Sequence, residues 1–272
     1  MIASVHPVVL VTGVSSGIGR ATAALLAASG YRVYGSVRAI KPEAELADVS
    51  LVRFDVRDEN SIQAVVQSIL QREQRIDAVV NNAGLALIGT VEETSIRQAQ
   101  DLFDINFFGV ARVIQAVLPS MRQRRSGRII NIGSALGYVP GPFRAYYCAS
   151  KHALEGYTES LDHEIRSFGL RAVMVEPNFT RTQLKSNAVF AAGSVAEYDG
   201  MRAQVGNAVA TLLDHGMDPE EVARAALRAL QARNPKNRYP TGRSAIALWR
   251  SRRWLPDRLF DQRLRRQIGL DS

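Results

Sequence analysis

Six short runs rich in valine and isoleucine punctuate the chain before about residue 180: residues 8–11, 32–37, 51–54, 78–80, 128–132 and 171–175. Runs that are apolar without alternation suit strands covered on both faces, as in a parallel sheet. Between them lie helical candidates at 17–29, 60–73, 95–124 and 145–167. A parallel strand can follow its neighbour only by way of a crossover, and each of these segments is long enough to make one. The pattern predicts repeated strand–helix–strand units. The fold class is α/β, a doubly wound parallel sheet flanked by helices, in a single domain. Further on, Met217-Asp218-Pro219-Glu220 predicts a helix start, with Asp218 as cap and Pro219 in the first turn. That helix should run to about Ala232, and Arg238-Tyr239-Pro240 could add one last short strand.

Thr12-Gly13-Val14-Ser15-Ser16-Gly17-Ile18-Gly19 joins the first run to the first helix. Glycines let the backbone turn sharply and approach a phosphate. The helix start supplies free N–H groups and partial positive charge for a pyrophosphate. An acid about 20 residues beyond such a turn would hold the ribose hydroxyls of NAD. Here the second run ends Gly35-Ser36-Val37-Arg38-Ala39, with no acid. Arg38 suits a 2′-phosphate instead, so NADP(H) is favoured over NAD(H).

Tyr147 and Lys151 are four residues apart, which on a helix puts both on one face. A free phenol, with pKa near 10, is a poor base at neutral pH, and a neighbouring ammonium favours its ionised form. Ser134 ends the fifth run, where strand ends meet ligands in such folds, and can hydrogen-bond a substrate oxygen. Tyr146 is a decoy, because the residue four beyond it is Ser150. Cys148, the single cysteine, excludes an intrachain disulfide and reads as a small packed residue. The four histidines have no metal-ligand spacing.

With its Gly-x-x-x-Gly-x-Gly spacing and the Ser134, Tyr147 and Lys151 set, the chain resembles the short-chain dehydrogenase/reductase family in its single-domain form. The resemblance covers residues 8 to about 182. The wording around Tyr147-Cys148-Ala149-Ser150-Lys151 is similar to that of hydroxysteroid and retinol dehydrogenases. The resemblance implies a Rossmann-like fold and hydride transfer between a nicotinamide and a carbonyl or alcohol. It makes Ser134, Tyr147 and Lys151 the catalytic triad and Asn106 the fourth member, which holds a water in a proton relay to Lys151. It sets Asp55 and Val56 at the adenine, and Asn82, Ala83 and Gly84 along the cofactor. Pro177, Thr180 and Thr182 approach the nicotinamide carboxamide and pyrophosphate. The family's Pro-Gly is here Pro177-Asn178, an exchange that asparagine's tolerance of left-handed backbone would accommodate. Residues 183–217 would be a substrate lid closing the catalytic domain of residues 1–243. The apolar stretch 188–192 suits either a lipophilic steroid-, retinoid- or fatty-type substrate or ordinary helix core. A homo-oligomer is also implied. The alternative function is a catalytically silent nucleotide- or lipid-binding protein on the same fold.

Charge separates the remaining segment. From Arg233 onward there are eleven basic and three acidic residues, which accounts for the whole net charge of +8. The preceding body is therefore neutral, unlike a protein built throughout for nucleic acid. Residues 244–272 form a basic amphipathic tail, with Phe260, Leu264 and Ile268 four apart on one stripe. Three roles are open to it: packing on the body or a partner subunit, lying on an anionic membrane, or, ranked last for want of a motif, binding nucleic acid. The tail would lie outside the recognisable site. The N-terminus lacks signal-peptide features and no run reaches the roughly 18 apolar residues of a span, so the expected location is the cytoplasm, with the tail as a candidate peripheral membrane contact.

Overall fold

The computed structural model describes residues 6–41, 45–181 and 188–270. Seven parallel strands form one sheet: β1 (Val8–Val11), β2 (Arg32–Val37), β3 (Val49–Arg53), β4 (Ala78–Asn81), β6 (Gly127–Ile132), β7 (Leu170–Pro177) and β9 (Arg238–Thr241). A separate pair joins β5 (Leu87–Ile88) to β8 (Val189–Phe190). In the large sheet the strands lie in the order β3-β2-β1-β4-β6-β7-β9. That order reverses direction between β1 and β4, the switch point where ligands bind in open α/β sheets.

Both faces of the sheet are covered, which explains the unbroken apolar runs. Val8 and Leu10 pack with Ile62, Val66, Val113, Val117 and Leu154 from α2 (Glu59–Glu73), α4 (Gly109–Arg124) and α5 (Ala145–Ile165). Val9 and Val11 point the other way, onto Ala23, Leu26, Val222 and Ala226 from α1 (Gly17–Ala28) and α7 (Pro219–Gln231). The predicted cap of α7 is present, with the Glu220 amide donating to Asp218 Oδ1 at 2.9 Å.

The stretch read as one helix at 95–124 is three pieces: α3 (Ile96–Phe103), a π turn (Asp104–Phe108) and α4. By length and mean hydropathy alone, 96–124 would be long and apolar enough to cross a membrane, although charged residues interrupt it. Its Val110, Val113, Ile114, Val117 and Met121 are instead buried in the core. Between α6 (Asp199–Asp214) and β5 the chain is tied down by Glu93, whose Oε1 accepts from the Val195 amide at 2.8 Å.

The basic tail is two helices, α8 (Gly242–Trp254) and α9 (Asp257–Gln267). Ala245, Phe260 and Ile268 are buried. Tyr138 donates to Ala245 O at 3.1 Å, and the Arg252 guanidinium sits 5.2 Å from the Phe260 ring. The tail thus packs on the body along the predicted stripe.

Candidate active site

The carboxyl ends of β1, β4, β6 and β7 open into one cleft of about 1730 Å³. Its phosphate end is built by the glycine turn. Gly13 has φ +72° and Gly17 φ +57°, conformations that L side chains rarely adopt. A Cβ on Gly19 would meet Gly13 O at 2.2 Å and Asn82 Nδ2 at 2.3 Å. Asn82 Nδ2 donates to both Thr12 O and Gly13 O at 3.0 Å, so β4 and the turn hold each other. Helix α1 has no side-chain cap at Ser16 and no acid in its first turn, whereas α2 is capped by Asp58 and α3 by Ser95. Uncapped amides at the head of a helix suit an anion, so these residues fit a dinucleotide.

Gly13, Ser15, Ser16, Gly17, Ile18, Arg38, Asp55, Val56, Asn82, Ala83, Gly84, Pro177 and Thr180 all line the cleft. Gly19 sits directly behind it, and Thr182 lies outside the described residues. Arg38 is exposed at the end of β2, and its charge also acts on Asp55 at the end of the neighbouring strand. Two further arginines, Arg20 and Arg57, share that end of the cleft. Arg57 grips Asp55 through Nε (3.1 Å) and Nη2 (2.7 Å), and this pairing holds the Asp55 carboxyl below its usual range. The Asp-x-Arg spacing carried that signal in the sequence.

At the other end, the turn after β6 presents Ser134 to the first turns of α5. Ser134 Oγ accepts from the Leu136 amide at 3.1 Å. Tyr147 and Lys151 are buried on one face of α5 and both line the cleft with Ser134. Burial pushes the Tyr147 phenol up, while Ser134 and then the Arg144 charge pull it down. The ammonium of Lys151, expected to lower it, lies 5.8 Å from the ring centroid and donates to Ile132 O at 3.0 Å. Burial lowers the Lys151 pKa to about 8, against the pull of Glu155. Cys148 is buried and its thiol is pushed up by that burial, which opposes a nucleophilic role.

Asn106 stands in the π turn, behind the cleft. Its Oδ1 accepts from the Leu85 amide at 2.9 Å, and its Nδ2 donates to Leu85 O (3.0 Å) and Ser150 Oγ (3.3 Å). It clamps the 82–85 loop to α5, one step removed from Lys151. Asn178 does not take a left-handed backbone. Its Nδ2 donates to Ser244 Oγ at 3.1 Å, tying the end of β7 to α8.

The tail, expected outside the site, contributes a wall. Leu248, Leu264 and Ile268 line the cleft together with Val205, Val209 and Leu212 of α6. Arg144, which no motif marked, also lines it.

The family model described as short chain dehydrogenase matches residues 7–191. The 3-ketodihydrosphingosine reductase of Bacteroides thetaiotaomicron is 32% identical over 266 residues, which is 95% of this chain and 96% of that protein. Human 17-beta-hydroxysteroid dehydrogenase type 1 is 32% identical, over 90% of this chain and 80% of that one. Among solved structures, a short-chain dehydrogenase from Streptomyces avermitilis superimposes with a TM-score of 0.81 at 35% identity, across 92% of this chain and 93% of that one.

Proposed function

The chain belongs to the short-chain dehydrogenase/reductase family and is an NAD(P)-dependent oxidoreductase; on that premise we propose that it uses NADP(H) to interconvert a lipophilic ketone and its alcohol, with Tyr147 as general acid and base. One observation carries the reading: Ser134, Tyr147 and Lys151 share a single cleft with the uncapped head of α1. When bound, the nicotinamide supplies or accepts the hydride at the carbonyl carbon. Ser134 Oγ–H then donates to the substrate oxygen and fixes its position. Tyr147 passes its phenolic proton to that oxygen, or takes it back in the reverse direction. The burial that raises Tyr147 keeps the proton on it at neutral pH, the form that serves carbonyl reduction. Lys151 supports the exchange as a cation near the ring, and Asn106 keeps the 82–85 loop against α5. The apolar wall from α6 and the tail supports a lipophilic substrate.

The test is consumption of NADPH or NADH, followed spectrophotometrically, with ketones and aldehydes of graded chain length. NADPH consumption that strengthens with chain length is expected. No consumption with any of them would leave the silent nucleotide- or lipid-binder as the better reading. In the same assay, Arg38→Asp should lower kcat/KM for NADPH by roughly 100-fold and favour NADH. An Arg–phosphate contact is lost there and a repulsion gained. An unchanged ratio would refute the role given to Arg38.

A cytoplasmic location, assembly of copies of this chain, and peripheral contact of the tail with anionic membranes belong to the same proposal. What supports the last is the outer face of α8 and α9, where Trp254, Leu259 and Ile246 are exposed among Arg250, Arg253 and Arg258. Replacing Trp254 and Leu259 by Glu should weaken sedimentation with anionic liposomes by roughly tenfold or more. Equal sedimentation of the variant and the original protein would remove the membrane role. The sedimentation coefficient of the protein alone reads its self-association.

A further inference from the structure

Arg144 occupies the N-terminal cap of α5, three residues before Tyr147 and on the same side of the helix. The loop that delivers it is strained and pinned. Phe143, directly before it, has φ +60°, a left-handed conformation that is a true outlier for a bulky side chain. Phe143 O accepts from the Gly89 amide at 2.8 Å, and the Arg144 amide donates to Gly141 O at 3.2 Å. Strain of this kind persists only where the surroundings enforce it, and it concentrates at ligand sites.

The side chain of Arg144 is half-buried in the wall of the cleft, which Leu136, Pro140, Pro142 and Tyr147 also line. Burial disfavours its charge, and only the phenol of Tyr147 and the thiol of Cys148 act the other way. Among the described residues its guanidinium meets no carboxylate and no hydrogen-bond acceptor. Arg171, Arg202 and Arg238, also partly buried, are each paired with buried acids. A desolvated cation without a counter-ion is costly, and the planar guanidinium is shaped for two parallel bonds to an oxyanion.

We propose that Arg144 is a specificity-determining residue that binds an anionic oxygen group of the substrate, a carboxylate or a phosphate, while the carbonyl sits at Ser134 and Tyr147. The substrate is then an amphipathic oxo-anion, its alkyl body against Leu248, Leu264 and Ile268. A ketone with a cationic amine beside the carbonyl meets repulsion instead. This inference rests on the oxidoreductase reading for its substrate carbonyl, but its charge preference is measurable without turnover.

The experiment uses matched probes on the protein with NADPH: a long-chain oxo carboxylate and its methyl ester, and an oxoalkyl phosphate and its neutral alcohol. For the original protein, kcat/KM is expected to favour the anionic member by about 10–100-fold, the range of a charge-assisted pair. In Arg144→Gln that ratio collapses toward one, and in Arg144→Lys part of it survives. If carboxylate and phosphate differ, the larger ratio names the source of the anion. A ratio near one in the original protein overturns the proposal. So does an equal loss on both members with a shifted pH profile, since the charge would then serve Tyr147 alone. If nothing is turned over, titration calorimetry compares binding of a saturated fatty carboxylate with that of the matching alcohol. Carboxylate preference lost in Arg144→Gln supports the subsite even then, and equal binding by both proteins refutes it.

Discussion

Tyr147→Phe is expected to lower kcat about a thousandfold while NADPH binding stays close to normal. The phenol lines the cleft with Ser134, and positioned proton transfer contributes about 10²–10⁴ in rate. Phenylalanine fills the same buried space on α5, so packing against Leu102 and Ala86 is preserved. The phosphate end of the cleft, built by Gly13, Gly17 and Asn82, is untouched. Single-turnover kinetics and nucleotide fluorescence separate the two effects. Near-normal turnover in this variant would sink the assignment of Tyr147.

The second large effect concerns stability. Arg238→Met should destabilise the fold by about 3–5 kcal/mol at pH 8 and by clearly less at pH 5. Arg238, on the edge strand β9, is paired with Glu155 and Glu176 and donates from Nε to Glu159 Oε1 at 2.9 Å. Glu155 and Glu176 are almost fully buried, and the oxygen of each that Arg238 does not reach has no hydrogen-bond partner. Burial, then the neighbouring Glu155 charge, push Glu176 up to about 8. An unfolded glutamate titrates near 4.3. The folded state therefore holds a proton that the unfolded chain releases. The stability this gives is full below about pH 4 and is lost as pH rises through about 8. The original protein should lose melting temperature across that window, and Glu176→Gln should flatten the loss. Without Arg238 the alkaline loss deepens, because two buried carboxylates face each other with no cation. Thermal melts at the two pH values check both statements; a pH-independent penalty for Arg238→Met would contradict them.

Most of the sheet was legible because burial on both faces leaves a local mark. Val8–Val11 and Arg32–Val37 are found where the apolar runs lie. The third strand is offset, Val49–Arg53 against an expected 51–54, because it sits at the sheet edge, where Ser50 and Arg53 are exposed and blur its apolar run. The π turn at Asp104–Phe108 was invisible, since one extra residue per turn hardly alters an amphipathic pattern read over thirty residues. The glycine turn and the Tyr147–Lys151 pair were readable because each depends on near neighbours in the chain. Arg144 in the cleft, Arg238 among its carboxylates and Asn178 on Ser244 depend on contacts between distant segments. Asn178 and Ser244 are 66 residues apart, and no spacing rule reaches that far.

The cleft wall formed by Leu248, Leu264 and Ile268 has a consequence in time. Synthesis runs from the N-terminus, and these side chains leave the ribosome after every strand of the sheet has been made. A nascent chain that has reached residue 243 already holds the phosphate cradle, Ser134, Tyr147 and Lys151. It has no roof on the α8–α9 side. The order of manufacture puts the nucleotide site and Arg144 first and this part of the apolar wall last, so on the proposed reading an exchange of α8 and α9 between relatives alters the apolar contacts of the cleft and leaves the chemistry in place.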